Sequence, residues 1–223
     1  MVALLASLFL LFHTGFQDLP HAFPRPGATQ LVDNARVTAW DVSWPKNQSS
    51  GMHRHAYDYV GIELNDSLTK VTDADGQART VSLKKATAYF LPKGTTHMEE
   101  GLSDVPRHAI LVDLKDAPSP AYPNNTGLPA AFPRDGVRKI LENQRVVIWD
   151  YAWTPGKPTP MHFHDKDVFL VFLEGGELKS TTPDGQATVR TISANESQFN
   201  PGNRAHTEQM TKGSVHAIIV ELK

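Results

Sequence analysis

Met52-His53-Arg54-His55 and Met161-His162-Phe163-His164 are the stretch on which the reading of this chain turns, because the second is the first met again 109 positions later. Working outward, the same offset joins Asn34-Ala35-Arg36-Val37 to Asn143-Gln144-Arg145-Val146 and Trp40-Asp41-Val42-Ser43-Trp44 to Trp149-Asp150-Tyr151-Ala152-Trp153. It joins Phe23-Pro24-Arg25-Pro26-Gly27 to Phe132-Pro133-Arg134-Asp135-Gly136, Asp75-Gly76 to Asp184-Gly185, and His97-Met98-Glu99 to His206-Thr207-Glu208. A slip of one residue then matches His108-Ala109-Ile110 to His216-Ala217-Ile218. The chain is therefore a duplication, with units over 23–115 and 132–223. Two copies without a third do not make a solenoid. Residues 116–131, rich in Pro and Asn, read as the linker between them.

Within one unit the pattern is that of short strands. Arg36–Val42 and His108–Leu114 alternate, and His216–Leu222 repeats the second. Tyr57–Leu64 and Val168–Leu173 are continuous apolar runs suited to strands buried on both faces, the second ending at Glu174-Gly175-Gly176. Asp75-Gly76 and Asp184-Gly185 are hairpin signals. Arg138–Asn143 is the one short segment that reads as a helical turn. The expected class is all-β, one sandwich or barrel per unit.

Eight of the 10 histidines fall at matched places: His53, His55, His97 and His108, then His162, His164, His206 and His216. His-x-His on a strand sets both imidazoles on one face, and adjacent imidazoles can take neighbouring corners of a metal's coordination sphere. A third histidine follows about forty residues later, after Pro92-Lys93-Gly94 in one unit and Pro201-Gly202-Asn203 in the other. Asn203 stands where the turn has Gly94, and Asn tolerates a left-handed backbone. The two copies are not independent witnesses, since a duplication carries a structural histidine along with a functional one. The tryptophans Trp40, Trp44, Trp149 and Trp153 read as core rather than as a ligand platform.

This pattern resembles the cupin superfamily in its two-domain form: His-x-His, then a Pro-x-Gly turn two residues ahead of another His. The resemblance covers nearly all of the chain after residue 22. It implies two tandem jelly-roll β-barrels, each holding a divalent transition metal (Fe, Mn, Zn, Cu or Ni) through His53, His55 and His97 or through His162, His164 and His206. The family's usual Glu falls on Tyr59 and Val168, which are not ordinary ligands. Asp58 and Asp167 have the wrong strand parity and read as loop residues unless a bulge turns them inward. Glu99 and Glu208 share the face of the third histidine and stand as ligands or general bases. His108 and His216 divide between a site role and a core role. Some dioxygenases of the superfamily use three histidines and no Glu, so the resemblance implies either an oxidoreductase of that kind or a non-catalytic ligand-binding or sensor protein. A sugar isomerase is a weaker third reading. The partner expected is a small molecule, and homo-oligomers are common among cupins.

Composition closes other routes. A net charge of −2 argues against a nucleic-acid surface, and the absence of cysteine excludes disulfides and thiolate sites. Val2–Phe12 is an apolar run of eleven, matching the core of a signal peptide over residues 1–22 and an exported protein, secreted or periplasmic. A buried first helix or strand is its other reading. The run is too short to span a bilayer comfortably. Sequons begin at Asn47, Asn65, Asn124 and Asn195. No phosphate loop, dinucleotide fingerprint or hydrolase elbow is present.

Overall fold

The computed structural model describes residues 19–223, so Val2–Phe12 and His13 lie outside the described residues. Lobe one contains β1 (Ala28–Asp33), β2 (Val37–Trp44), β3 (His53–Arg54), β4 (Asp58–Glu63), β5 (Ser67–Asp73), β6 (Ala78–Leu83), β7 (Ala88–Leu91), β8 (Thr96–Gly101) and β9 (Arg107–Leu114). Lobe two contains β10 (Val137–Glu142), β11 (Val146–Ala152), β12 (His162–His164), β13 (Val168–Thr181), β14 (Ala187–Ile192), β15 (Ser197–Asn200) and β16 (Arg204–Leu222). No helix occurs among the described residues. Each lobe is a jelly-roll barrel. In lobe one a sheet ordered β1-β2-β9-β4-β7 faces a sheet ordered β3-β8-β5-β6. In lobe two long strands carry one sheet, β10-β11-β16-β13-β14, around both sides, with β12 added on β16 and β15 on β13.

The continuous apolar runs are explained by what lies on each face. Val60, Ile62, Ile110 and Val112 pack against Phe169, Val171, Ile218 and Val220 in one core shared by both lobes. Residues of the opposite parity point into the barrels: Trp40, Trp44 and Leu111 in lobe one, Trp149, Trp153 and Ile219 in lobe two. A strand between a barrel interior and another lobe has no solvent face, so it has no polar alternation. The tryptophans are core as expected, and buried acids take their indole protons: Trp40 Nε1 donates to Asp113 Oδ2 at 3.2 Å and Trp149 Nε1 to Glu221 Oε2 at 2.7 Å.

Two expectations are corrected. Arg138–Asn143 is not a helical turn; its residues lie largely in β10, paired with β11 and bulged between Lys139 and Leu141. The run from Val168 does not stop at Glu174-Gly175-Gly176 but continues as β13 to Thr181. The glycines allow close crossing there rather than ending the strand. A Cβ on Gly176 would sit 2.3 Å from the Lys212 carbonyl oxygen. The hairpin signals hold, with Gly76 and Gly185 both at φ 85°, and Asn203 takes φ 57° in place of Gly94 at 86°.

Pro20, His21 and Ala22, which the expected leader includes, pack on lobe one. Arg54 N donates to the Pro20 carbonyl at 2.9 Å, Ala56 N to His21 Nδ1 at 3.1 Å, and Ala22 is buried. Reciprocal ion pairs join the lobes. Arg145 reaches Asp58 at 3.3 Å, and Arg36, its repeat partner, reaches the buried Asp167 at 3.8 Å.

Candidate metal centres

In lobe two, β12 pairs with β16 so that His162 faces His206 and His164 faces Arg204. Residues two apart share a side of a strand, so all four side chains point into the barrel. In lobe one, β3 pairs with β8 through His53 and His97, and His55 N donates to the Thr95 carbonyl at 2.9 Å. The register thus gathers three buried histidines at the same place in each barrel: His53, His55 and His97, and His162, His164 and His206.

Their nitrogens converge. His55 Nε2 stands 3.3 Å from His97 Nε2. His164 Nε2 stands 3.2 Å from both His162 Nε2 and His206 Nε2. Two nitrogens each ~2.1 Å from one ion, at an angle of about 100°, stand about 3.2 Å apart. Tautomers are set from behind: His53 Nδ1 donates to the Gly51 carbonyl at 3.0 Å and His162 Nδ1 to the Pro160 carbonyl at 2.8 Å. That leaves Nε2 as the free lone pair, and His53 Nε2 is buried without a partner among the described residues. Burial pushes the imidazole pKa values down, to about 4 at His53 and His206. The histidines are then neutral at pH 7, the form a metal needs. Orphaned, neutral, convergent imidazoles fit a divalent ion.

The carboxylates differ. Glu99 is held at both oxygens, by Arg107 Nη1 at 2.9 Å and by Arg25 Nη2 at 3.5 Å. Burial would raise its pKa, but the Arg107 charge, with Arg25 and the facing imidazoles, holds it below the usual carboxylate range. Glu208 accepts from Arg134 Nη2 and Trp153 Nε1, both at 3.2 Å and both on Oε2. Its Oε1 lies 3.7 Å from His206 Nε2 and takes no hydrogen bond from protein among the described residues. Neither carboxylate belongs to the groups of converging ligand atoms.

Asp58 and Asp167 are structural. Asp58 accepts from Lys93 N and Asp167 from Gly202 N, each at 2.8 Å, in the turns that carry the third histidines. His108 and His216 do not join the sites. They lie on the parity of the inter-lobe core and pair outside the barrels with Asp41 at 2.8 Å and Asp150 at 2.6 Å. Where the family has Glu, Tyr59 stacks on His55 with ring centroids 4.1 Å apart. Sequence reasoning missed Arg25 and Arg134, whose guanidinium carbons sit 3.7 Å from the Trp44 ring centre and 4.2 Å from that of Tyr151. The signal was present, since both arginines are matched in the repeat.

No protein-family model matches the chain. It is 32% identical over 74 residues to a β-alanine degradation protein of Pseudomonas aeruginosa, a match covering 33% of this chain and 77% of that one. A cupin 2 conserved barrel domain protein from Leptotrichia buccalis superposes with a TM-score of 0.55 at 11% identity, over 88% of each chain. A Bacillus subtilis oxalate decarboxylase superposes with a TM-score of 0.60 at 11% identity, over 86% of this chain and 71% of that one. With paired jelly-roll lobes and a three-histidine group inside each, the chain has the fold of these cupin-domain proteins, and over the matched stretch it belongs to the family of the β-alanine degradation protein.

Proposed function

We propose that the chain is an exported metal-dependent oxidoreductase of the dioxygenase kind, acting on a small organic molecule. The observation that carries the reading is the convergence of the imidazole nitrogens, all within 4.8 Å in each group and 3.2–3.3 Å in the nearest pairs, with a cavity beside each group. Manganese is the first ion to try, because a structural neighbour is described by its Mn(II) centres. Neighbours named for oxalate and a relative named for β-alanine support a small substrate. Export rests on Val2–Phe12 alone.

In this reading His53, His55 and His97 hold one ion and His162, His164 and His206 the other. A bound ion supplies Lewis-acid and redox chemistry at the coordination positions the histidines leave open. The chain supplies the proton acceptor. Glu208, ionised and oriented through Oε2 by Arg134 and Trp153, presents a free Oε1 toward the cavity and takes the substrate proton there. Glu99 occupies the matched place with both oxygens engaged. That difference favours a second reading for lobe one, a ligand-binding or structural metal site without turnover.

Metal analysis of the purified chain should find two divalent ions, reduced by one in His55→Ala or His164→Ala. Oxygen uptake against diketones, phenols and organic acids then tests turnover. A preparation without metal that is as stable as the loaded one refutes the metal reading. Metal without uptake on any class leaves the binding reading in its place.

A further inference from the structure

The cavities beside the two histidine groups differ in how their charges are partnered. In lobe one it is about 330 Å³, lined by Tyr59, Val71, Leu91 and Tyr89. Its charges are answered locally: Arg107 chelates Glu63 through Nε and Nη2 at 3.1 and 2.7 Å, and Arg79 pairs with Asp73 at 2.5 Å. In lobe two the cavity on the His206 side is about 190 Å³, lined by Arg190, Gln198, Asn200 and Arg204, and another of about 330 Å³ opens on the His162 side beside Arg134. Arg190 is answered by Glu196 and Gln198, and Glu208 by Arg134. Arg204 is not answered. Only its Nε has a protein acceptor among the described residues, the Pro201 carbonyl at 3.0 Å. Its two terminal nitrogens have no protein acceptor among the described residues, and the side chain lines the cavity.

We propose that lobe two binds a small organic carboxylate on Arg204, beside its histidine group, and that lobe one does not. The position of Arg204 argues for this. It stands opposite His164 in the β12–β16 pairing and two residues before His206, so it shares the face of both. Its match in lobe one is Thr95, which spends its hydroxyl on the Pro92 carbonyl at 2.6 Å. A planar guanidinium with both terminal nitrogens open fits a carboxylate bidentately. The cavity's size limits the ligand to a few heavy atoms. The ionised Glu208 does not oppose an anion, because its charge is taken up by Arg134. The assignment rests on the proposed function for its place at a reaction site, although the anion contact itself is made by protein.

The test is calorimetric titration of the full chain with malonate and with its neutral diamide, with metal content measured on the same samples. One malonate should bind per chain and the diamide should not. Arg204→Gln should weaken binding about 10- to 100-fold, the range of a charge-assisted contact, with an unchanged melting temperature. Arg204→Lys should recover part of the loss, and it carries the comparison if the Gln variant fails to fold. Two equivalents per chain, equal binding of the diamide, or a folded Arg204→Gln variant with wild-type affinity would overturn the assignment. Malonate bound through Arg204 by a chain that takes up no added divalent metal would sink the metal reading and leave this site standing. Metal-loaded protein that ignores malonate would do the reverse.

Discussion

Arg107 is where the two lobes part most sharply in their interiors. It is 2% exposed, between a fully buried Glu63 and Glu99, and makes charge-assisted hydrogen bonds at 3.1, 2.7 and 2.9 Å. Arg107→Met removes these three and a fourth to Tyr89 Oη at 2.8 Å, strands the Glu63 carboxylate in the core and leaves Glu99 with Arg25 at 3.5 Å. Breaking a buried ion pair from one side costs roughly 3–5 kcal/mol. Removing both partners should cost far less, and lobe two shows why. The residues matched to Glu63 and Arg107 are Phe172 and Val215, both buried in an apolar core. Glu63→Met with Arg107→Met should therefore lie within about 2 kcal/mol of wild type, closer to it than Arg107→Met alone. Urea unfolding followed by tryptophan fluorescence reads both, since Trp40 and Trp44 lie in the core of the same lobe. If Arg107→Met costs under 1 kcal/mol, or the double variant is no better than the single, the pair does not have the role assigned to it.

The metal-free protein should lose stability as pH falls from about 6.5 toward 4. The folded pKa values of His53 and His206 are depressed to about 4, so over that window the unfolded chain binds more protons. Each contributes roughly 3 kcal/mol that is present above pH 6.5. Urea midpoints at pH 5 and 7 should differ in that direction, and less so with metal bound. His108→Ala and His216→Ala should leave metal content at the wild-type value, because both rings pair outside the barrels with Asp41 and Asp150; loss of an ion in either variant would show that these rings reach the sites. Asp167→Ala frees a buried Gly202 N–H and the Arg36 contact. It should cost about 1–3 kcal/mol in chemical unfolding while keeping two metal ions by mass spectrometry.

Much of this was legible in the residues because duplication wrote it twice. The six site histidines, Glu99 and Glu208, the tryptophan core and the hairpin glycines stand at one offset, and period-2 parity placed the histidines on one face. The same parity rule failed for His108 and His216. Sharing a face with Ile110 and Ile218 meant facing the other lobe, and nothing local says which side of a doubly buried strand is the barrel interior.

The repeat determined the fold class, the two lobes and the identity of the converging groups, because strand alternation and turn chemistry are properties of neighbours along the chain. Tertiary structure alone decided which charges are answered. Arg107 finds Glu63 44 positions away and Arg134 finds Glu208 74 positions away, while among the described residues Arg204 finds an acceptor only in its own turn. Pairing of that kind depends on which strands cross in space, and it is what makes two copies of one unit into two different cavities.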